Sequence, residues 1–288
     1  MQWINVTASS VKERIEVLEA WFWKHGALSV TIEDSSDRPI FEPPPGEHPL
    51  WDEVSVTGMF ESSISIEKIT SDLASENHVL KNIESVGDRE WEREWLSRFK
   101  PMQFGRRLWV LPKGFSIEPQ DKVIVELDPG LAFGTGTHET TRLCLEYLDG
   151  IEIIGSDVID YGCGSGILAI ASAKLGANRV VGVDNDRQAL AATKKNAERN
   201  LVLVDTCMPQ VTLFPSDIVL ANILAQPLID LAPLLLNTLK PRGLLILSGI
   251  MSNQVKEVVE AYENKAHFVE LVDRTELNGW MRLVWERV

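Results

Sequence analysis

The stretch VIDYGCGSGILAI, residues 158–170, joins two apolar runs through an acid and three glycines at alternate positions. An apolar run ending in Asp160, then Gly162, Gly164 and Gly166, reads as a strand that enters a tight turn and leaves as a helix. Glycines at that spacing let the backbone pass close beneath a bound ligand. Gly164-Ser165-Gly166-Ile167-Leu168-Ala169 also satisfies the dinucleotide pattern G-x-G-x-x-A. Asp160 argues against a dinucleotide, because a carboxylate repels a pyrophosphate and favours an ammonium or sulfonium group. S-adenosylmethionine carries both cations and no phosphate.

Two more polar residues stand at strand ends. RVVGVD places Asp184 where a carboxylate accepts hydrogen bonds from both hydroxyls of a ribose. NAD and S-adenosylmethionine share that ribose, so Asp184 does not separate them. DIVLANILAQPL places Asn222 at the end of a strand, before a loop with Pro227. Its amide carbonyl there can accept a hydrogen bond from a substrate nitrogen and aim the lone pair at a methyl group. The competing reading of Asn222 is an asparagine that holds a strand-to-helix turn. Asp160 and Asn222 together favour S-adenosylmethionine as cofactor.

Other tempting residues carry less. Cys163 has no neighbouring histidine and reads as a small buried filler. His138 is a loop or capping residue before it is a base, and Asp128 in LDPG is first a turn residue. The histidines His25, His48, His78, His138 and His267 show no metal spacing, so no metal is expected.

The elements that must position these residues fall into two regimes. From about residue 123, strands and helices alternate as VIVELD, a helix over about 138–149, VIDY, ILAIASAKLG, RVVGVD, RQALAATKKNAERN, DIVLAN, PLIDLAPLLLNTL, LLILSG and SNQVKEVVEAYE. HFVELVD and MRLVWER close the chain as an antiparallel pair at the sheet edge. This pattern predicts an α/β doubly wound, mostly parallel sheet, which binds ligands at the carboxyl ends of its strands. Residues 1–86 read strand, helix, strand, strand, helix, strand, the order of a small α+β ferredoxin-like domain. Between them GDREWEREWLSRFK, 87–100, predicts a linker helix with Trp91 and Trp95 on one face, packed against a neighbouring domain. The catalytic domain is then expected over 101–288.

Composition bounds the class. The 288 residues are 44% hydrophobic and 24% charged, with no apolar run of membrane-spanning length and no signal-peptide pattern at the N-terminus. A soluble cytoplasmic protein is expected. Three cysteines without C-x-x-C spacing fit a reducing compartment. The net charge is −14, and residues 1–100 hold 10 basic against 19 acidic side chains, so −9 of the excess sits there. Such a surface repels a nucleic-acid backbone and attracts a basic partner; solubility alone would also explain it.

The ordered stretches LDPGLAFGTGTHETT, VIDYGCGSGILAI, VVGVDNDRQAL with NAERN, VLANILAQPL and LSGIMSNQ resemble the ribosomal protein L-11 methyltransferase family. GALSVTIEDSSDRPIFEPPPGEHPLW and DREWEREW resemble that family's recognition domain and linker helix. The resemblance implies a class I methyltransferase fold, S-adenosylmethionine as cofactor and no metal. It implies cofactor contacts at Thr141, Gly162, Asp184 and Asn222; the amide reading given above makes Asn222 the expected catalytic positioning residue as well. It implies transfer of several methyl groups to lysine side-chain and N-terminal amines of ribosomal protein L-11, a basic substrate, by an enzyme expected to be a monomer. Closure of the loop Phe133–His138 over the cofactor is a further expectation.

Three positions depart from the family pattern: Glu139 replaces the usual proline, Gln226 the usual glycine, and Leu201 stands where a glycine is expected. An acid at 139 suits the first turn of a helix, while Gln226 bears on substrate geometry. Two alternative functions stay open at this point. One is a class I methyltransferase acting on a different protein, RNA or a small molecule; the other is an NAD-dependent oxidoreductase, which leaves Asp160 and Asn222 unexplained.

Overall fold

The structure, a computed structural model, describes residues 2–35, 51–87, 100–118, 120–127, 136–211, 213–265 and 267–288. The chain divides into two compact units, Met1–Ser97 and Arg98–Val288. Residues 88–99, which include Trp91 and Trp95 of the expected linker helix, lie outside the described residues.

In the first unit β1 (Gln2–Val11), α1 (Ile15–Lys24), β2 (Ser29–Asp34), β3 (Glu53–Glu61), α2 (Ile66–Ser75) and β4 (Val79–Gly87) follow in turn. The sheet order is β2-β3-β1-β4 with every neighbour antiparallel, the split βαβ arrangement expected from the sequence. Alternation explains which face is covered: Ile4, Val6 and Ala8 of β1 are buried with Leu18 and Phe22 of α1. Helix α2 starts where Ser65 can cap it, its Oγ accepting the Lys68 N–H at 3.3 Å. One boundary differs from expectation. The stretch SVKERIEVLEAWFWK, residues 10–24, has the pattern of an amphipathic helix, whereas β1 runs on to Val11, because Ser9, Ser10 and Val11 find partners in Ser55, Val54 and Glu53 of β3. Pairing across the sheet wins over a local helical pattern there.

The second unit is built on β8 (Asp157–Tyr161), β9 (Arg179–Val183), β10 (Asp205–Cys207), β11 (Ser216–Asn222), β12 (Leu239–Met251), β13 (Val269–Leu277) and β14 (Trp280–Arg287). Their order is β10-β9-β8-β11-β12-β14-β13, parallel through β12 and antiparallel at β14 and β13. The helices between them are α3 (Glu139–Gly150), α4 (Ile167–Lys174), α5 (Arg187–Arg199), α6 (Ala225–Asn237) and α7 (Val255–Glu263). This is the doubly wound sheet expected. Its central strands are near-continuous apolar runs because both faces are covered: Ile159, Val219 and Leu245 belong to one core layer, Val158, Ile218 and Ile246 to the other.

VIVELD does not join this sheet. It forms β7 (Val123–Leu127), parallel to β6 (Leu108–Pro112), which pairs antiparallel with β5 (Met102–Phe104) in a separate three-stranded sheet. Phe104, Leu108, Val125 and Leu127 pack into the layer that holds Leu145 and Ile167. The small sheet thus roofs α3 and α4, a placement set by long-range packing that a local strand pattern does not encode. No helix among the described residues is long and apolar enough to cross a membrane.

Candidate active site

The switch point of the large sheet lies between β8 and β11. From β8 the chain winds outward through β9 and β10, then returns to β11 on the other side, so the connections leave in opposite directions and a crevice opens at the carboxyl ends. Strand register puts Tyr161 beside Ala221, so Gly162 and Asn222 both emerge at this crevice.

The turn after β8 alternates in handedness. Gly162, Gly164 and Gly166 have φ of 77°, 54° and 81°, a region that side chains with a Cβ rarely enter. A methyl group on Gly162 would overlap the Ile223 side chain, so glycine is required there for space as well as for φ. The amides of Gly162 and Cys163 both donate to the Val183 carbonyl, at 2.7 and 3.0 Å. The Gly164 amide donates to Asp184 Oδ2 at 2.9 Å, while Asp184 Oδ1 accepts the Asp186 amide at 2.9 Å. Each carboxylate oxygen keeps a second lone pair, and Asp184 is half-buried. It can therefore hold the turn and accept from a diol at once.

Two residues of α5 that sequence reasoning passed over complete this turn. Thr193 is fully buried and its Oγ1 donates to the Gly164 carbonyl at 3.0 Å. Asn196 donates through Nδ2 to the Ser165 carbonyl at 2.9 Å, and Asn200, on the same helix face, clasps both backbone groups of Glu126 in β7. Polar residues at i, i+3 and i+7 on a helix that faces a glycine turn were the available signal.

Asp160 is 1% exposed, and its Oδ2 accepts the Ala169 amide, in the first turn of α4, at 3.0 Å. Burial, opposed by that hydrogen bond and reinforced by the charge of Asp184, pushes its carboxyl up to about 7. The consequence for ligand class is direct. A dinucleotide places its pyrophosphate on the amides of this helix N-terminus, and here the chain's own carboxylate occupies one of them. The buried acid, the bare glycine backbone and the half-buried Asp184 fit a cationic ligand with a ribose, as S-adenosylmethionine is.

On the other side of the crevice Asn222 and Thr141 meet. Asn222 Nδ2 lies 3.4 Å from Thr141 Oγ1, a long contact between the end of β11 and the first turn of α3. With its amide NH₂ turned toward Thr141, Asn222 has the carbonyl oxygen to offer an incoming N–H. The helix that carries Thr141 begins at His138, whose Nδ1 accepts the Thr140 amide at 3.3 Å and lies 2.8 Å from Thr140 Oγ1. That is an N-cap. Cys163 is 5% exposed and its thiol is pushed up by burial, so thiolate chemistry is disfavoured. Among the described residues no group of His, Cys, Asp and Glu could hold a metal ion. Of the loop Phe133–His138 only residues 136–138 are described, and Asp128 lies outside them as well.

The three departures each have a local account. Glu139 opens α3, its Oε1 accepts from Asn278 Nδ2 at 3.2 Å, and its own backbone amide together with Asn278 holds its carboxyl below the usual range. Gln226 lies in the first turn of α6, exposed, and donates to Asp230 Oδ1 one turn on at 3.1 Å. Pro227 is also inside that first helical turn, where a proline is tolerated, and not in a loop. Leu201 has φ of 56°, a left-handed residue at the end of α5 where glycine would be relaxed.

The model of the family described as ribosomal protein L11 methyltransferase (PrmA) matches residues 2–288. A ribosomal protein L11 methyltransferase of Histophilus somni (strain 2336) is 45% identical over 98% of this chain and 97% of its own. One of Edwardsiella ictaluri (strain 93-146) is 46% identical over 98% of each. Among solved structures, a ribosomal protein L11 methylase from Lactobacillus delbrueckii subsp. bulgaricus superposes with a TM-score of 0.59 at 32% identity, over 66% of this chain and 99% of that one. A match of this length and order, on a doubly wound sheet, places the chain in the ribosomal protein L11 methyltransferase family.

Proposed function

We propose that this protein transfers methyl groups from S-adenosylmethionine to amines of ribosomal protein L-11, on lysine side chains and at the N-terminus. The observation that carries the reading is the carboxyl edge itself: Asp160 across the α4 amide, the left-handed glycine turn, and the Asn222–Thr141 pair beside it. When bound, S-adenosylmethionine supplies a methyl group activated by a cationic sulfur. Gly162 would give it close approach to backbone, Asp184 would accept from its ribose hydroxyls, and Thr141 and Asn222 would line the side of the site from which the methyl is transferred. Asn222 accepts one N–H of the acceptor amine through its carbonyl, which turns the nitrogen lone pair toward the methyl carbon.

The acceptor must arrive neutral, and a lysine amine has a reference pKa of about 10.4. A desolvated pocket beside a sulfonium cation lowers it. Positioning then does most of the work, and no strong base is required. His138, engaged as a cap, is not needed as one.

The first unit recognises the acceptor. Acidic side chains outnumber basic ones in the first hundred residues by 19 to 10, which suits a basic ribosomal protein and opposes RNA as acceptor. Cys144, Cys163 and Cys207 are unpaired thiols, in keeping with work in the cytoplasm. Mass spectrometry of purified L-11 after incubation with the enzyme and S-adenosylmethionine tests the reading. Stepwise methyl gains with the native protein and none with Asp184→Ala are expected; S-adenosylmethionine binding without any gain on L-11 would retain the donor and remove the acceptor.

A further inference from the structure

The hairpin that joins β13 to β14 turns on two residues beside the first turn of α3. Leu277 and Trp280 are its last paired positions, and between them Asn278 and Gly279 have φ of 50° and 83°, the left-handed pair of a two-residue turn. One half of the turn is held by Ser252, which gives both its amide and its Oγ–H to the Gly279 carbonyl, at 2.9 and 3.0 Å. The other half is held by Asn278, whose Nδ2 donates to Glu139 Oε1 in α3 at 3.2 Å.

Asparagine followed by glycine has a chemistry of its own. The next backbone nitrogen can close on the side-chain carbonyl carbon, and a Cβ on the next residue hinders that approach. Among the asparagines of the chain, Asn278 alone precedes a glycine. Asn196, Asn200 and Asn222 precede Ala197, Leu201 and Ile223, and none of the three is exposed, whereas Asn278 and Gly279 both are. Gly279 also lies between the paired positions, so its amide is no part of the ladder and is open to water.

We propose that Asn278 is a site of spontaneous deamidation, that its hydrogen bond to Glu139 slows the reaction, and that the product cuts the hairpin loose from α3. The Gly279 amide gives its proton to a solvent base, and its nitrogen bonds to Cγ of Asn278 as the Cγ–Nδ2 bond breaks. The electron pair of that bond leaves with Nδ2, which takes a proton from water and departs as ammonia. Water then opens the cyclic imide at either carbonyl and leaves aspartate or isoaspartate at 278. Because the attacking nitrogen must first lose a proton, the reaction quickens as pH rises. Nδ2 is the group that departs, so its hydrogen bond to Glu139 stabilises the starting state and is lost on the way to the imide.

The product puts an anion where a donor stood. Glu139 is held below the usual carboxylate range, by its own backbone amide first and then by Asn278, so it is charged when the new carboxylate appears opposite it. Two like charges at hydrogen-bond distance repel. Isoaspartate adds a methylene to the backbone as well, and it lengthens a turn whose two-residue length sets the register of β13 on β14. Both products therefore loosen the hairpin from the helix that carries Thr141.

Peptide mapping by mass spectrometry, after incubation of the full-length protein in heavy-oxygen water at mildly alkaline pH, follows the change at each asparagine. A synthetic peptide of residues 273–283 is incubated beside it. Conversion at Asn278 is expected to be slower in the protein than in the peptide, and roughly three- to tenfold faster in folded Glu139→Ala than in the native chain, the factor of one exposed hydrogen bond. Asn278 left intact in Glu139→Ala while the peptide converts overturns the site. An alanine variant no faster than the native chain overturns the restraint. Asn278→Asp stands in for the product: its urea midpoint should lie below that of the native protein, by a margin that shrinks in high salt and vanishes when Glu139→Gln is added. A midpoint equal to the native one overturns the release. None of these readouts uses a methyl donor or acceptor, so their failure and the failure of the reading above are separate events.

Discussion

Asp157 and Asp160 are three residues apart on β8, yet they belong to opposite ends of the sheet and to opposite kinds of chemistry. At the amino end Lys240 reaches Asp157 at 2.8 Å and Asp217 at 2.9 Å, so one ammonium clamps the starts of β8, β11 and β12. Hydrogen bonding to Lys240 holds the Asp157 carboxyl below the usual range, and Asp157 and Asp217 together hold the Lys240 ammonium above its own. The charged forms of Asp157 and Lys240 there are both favoured by folding. At the carboxyl end Asp160 is buried with no cation against it among the described residues, and three left-handed glycines follow it. The same residue type is stabilised at one end and strained at the other because partner and burial differ, not because of the strand it sits on. A sheet in this fold concentrates unrelieved cost where the ligand binds and keeps the far end satisfied.

The sharpest way to break this contrast is to remove the backbone freedom of the turn. Gly162→Ala combines a left-handed penalty of about 1–2 kcal/mol with overpacking of about 1–3 kcal/mol against Ile223. The expected result is loss of S-adenosylmethionine binding by calorimetry and a large fall in the urea midpoint. Native-like binding by this variant would mean that the turn is less constrained than its geometry indicates.

The second test is electrostatic. Asp160 rises from 3.8 to about 7 in the folded chain, so between those values the native state binds more protons than the unfolded one. Its contribution to stability is full below about pH 4 and is lost as pH climbs through about 7, an effect on the order of 2–4 kcal/mol. Asp160→Asn keeps an oxygen for the Ala169 amide and removes the titration. Stability of the native protein should fall between pH 5 and pH 8 more steeply than that of the variant, which should be the more stable of the two at the upper end. Parallel urea midpoints across that range would show that Asp160 is not the group that titrates.

How far these features were legible in the sequence follows the same division. The doubly wound order, the ferredoxin-like first unit and the positions of Gly162, Asp184 and Asn222 were readable because each depends on local period or on a residue at the end of an apolar run. Thr193 and Asn196 were not, since their partners are the carbonyls of Gly164 and Ser165, which only the packing of α5 brings near. The roofing sheet of β5, β6 and β7 escaped for a like reason, as VIVELD has the strand pattern but no local mark of which sheet it joins. Asp160 was legible as an acid that ends an apolar run before the glycine turn; that it is buried and takes a helix amide was visible only in three dimensions.

At the satisfied end, Lys240→Met should cost under about 1 kcal/mol, shrinking in high salt, because the clamp is solvent-accessible. Methyl transfer should be unaltered; a loss of activity with native stability would erase the division of labour between the two ends.

The smallest expected effect has the opposite sign and comes from the helix that braces the turn. Helix α5 ends in a paired motif: the Leu201 amide donates to the Glu198 carbonyl at 3.0 Å and the Val202 amide to the Ala197 carbonyl at 3.1 Å. This pattern requires a left-handed residue at 201, and glycine is the residue that takes it without steric cost. Leucine there has φ of 56° and is 92% exposed, so its side chain adds strain without gaining burial. Leu201→Gly exchanges that strain for a more flexible unfolded chain and should stabilise by about 0.5–1 kcal/mol. The urea midpoint should rise while S-adenosylmethionine affinity stays unchanged, because Thr193 and Asn196 hold the glycine turn from earlier turns of the helix. If affinity moved with stability, the end of α5 would be coupled to the carboxyl edge, and the costly and the satisfied regions would have to be treated as one.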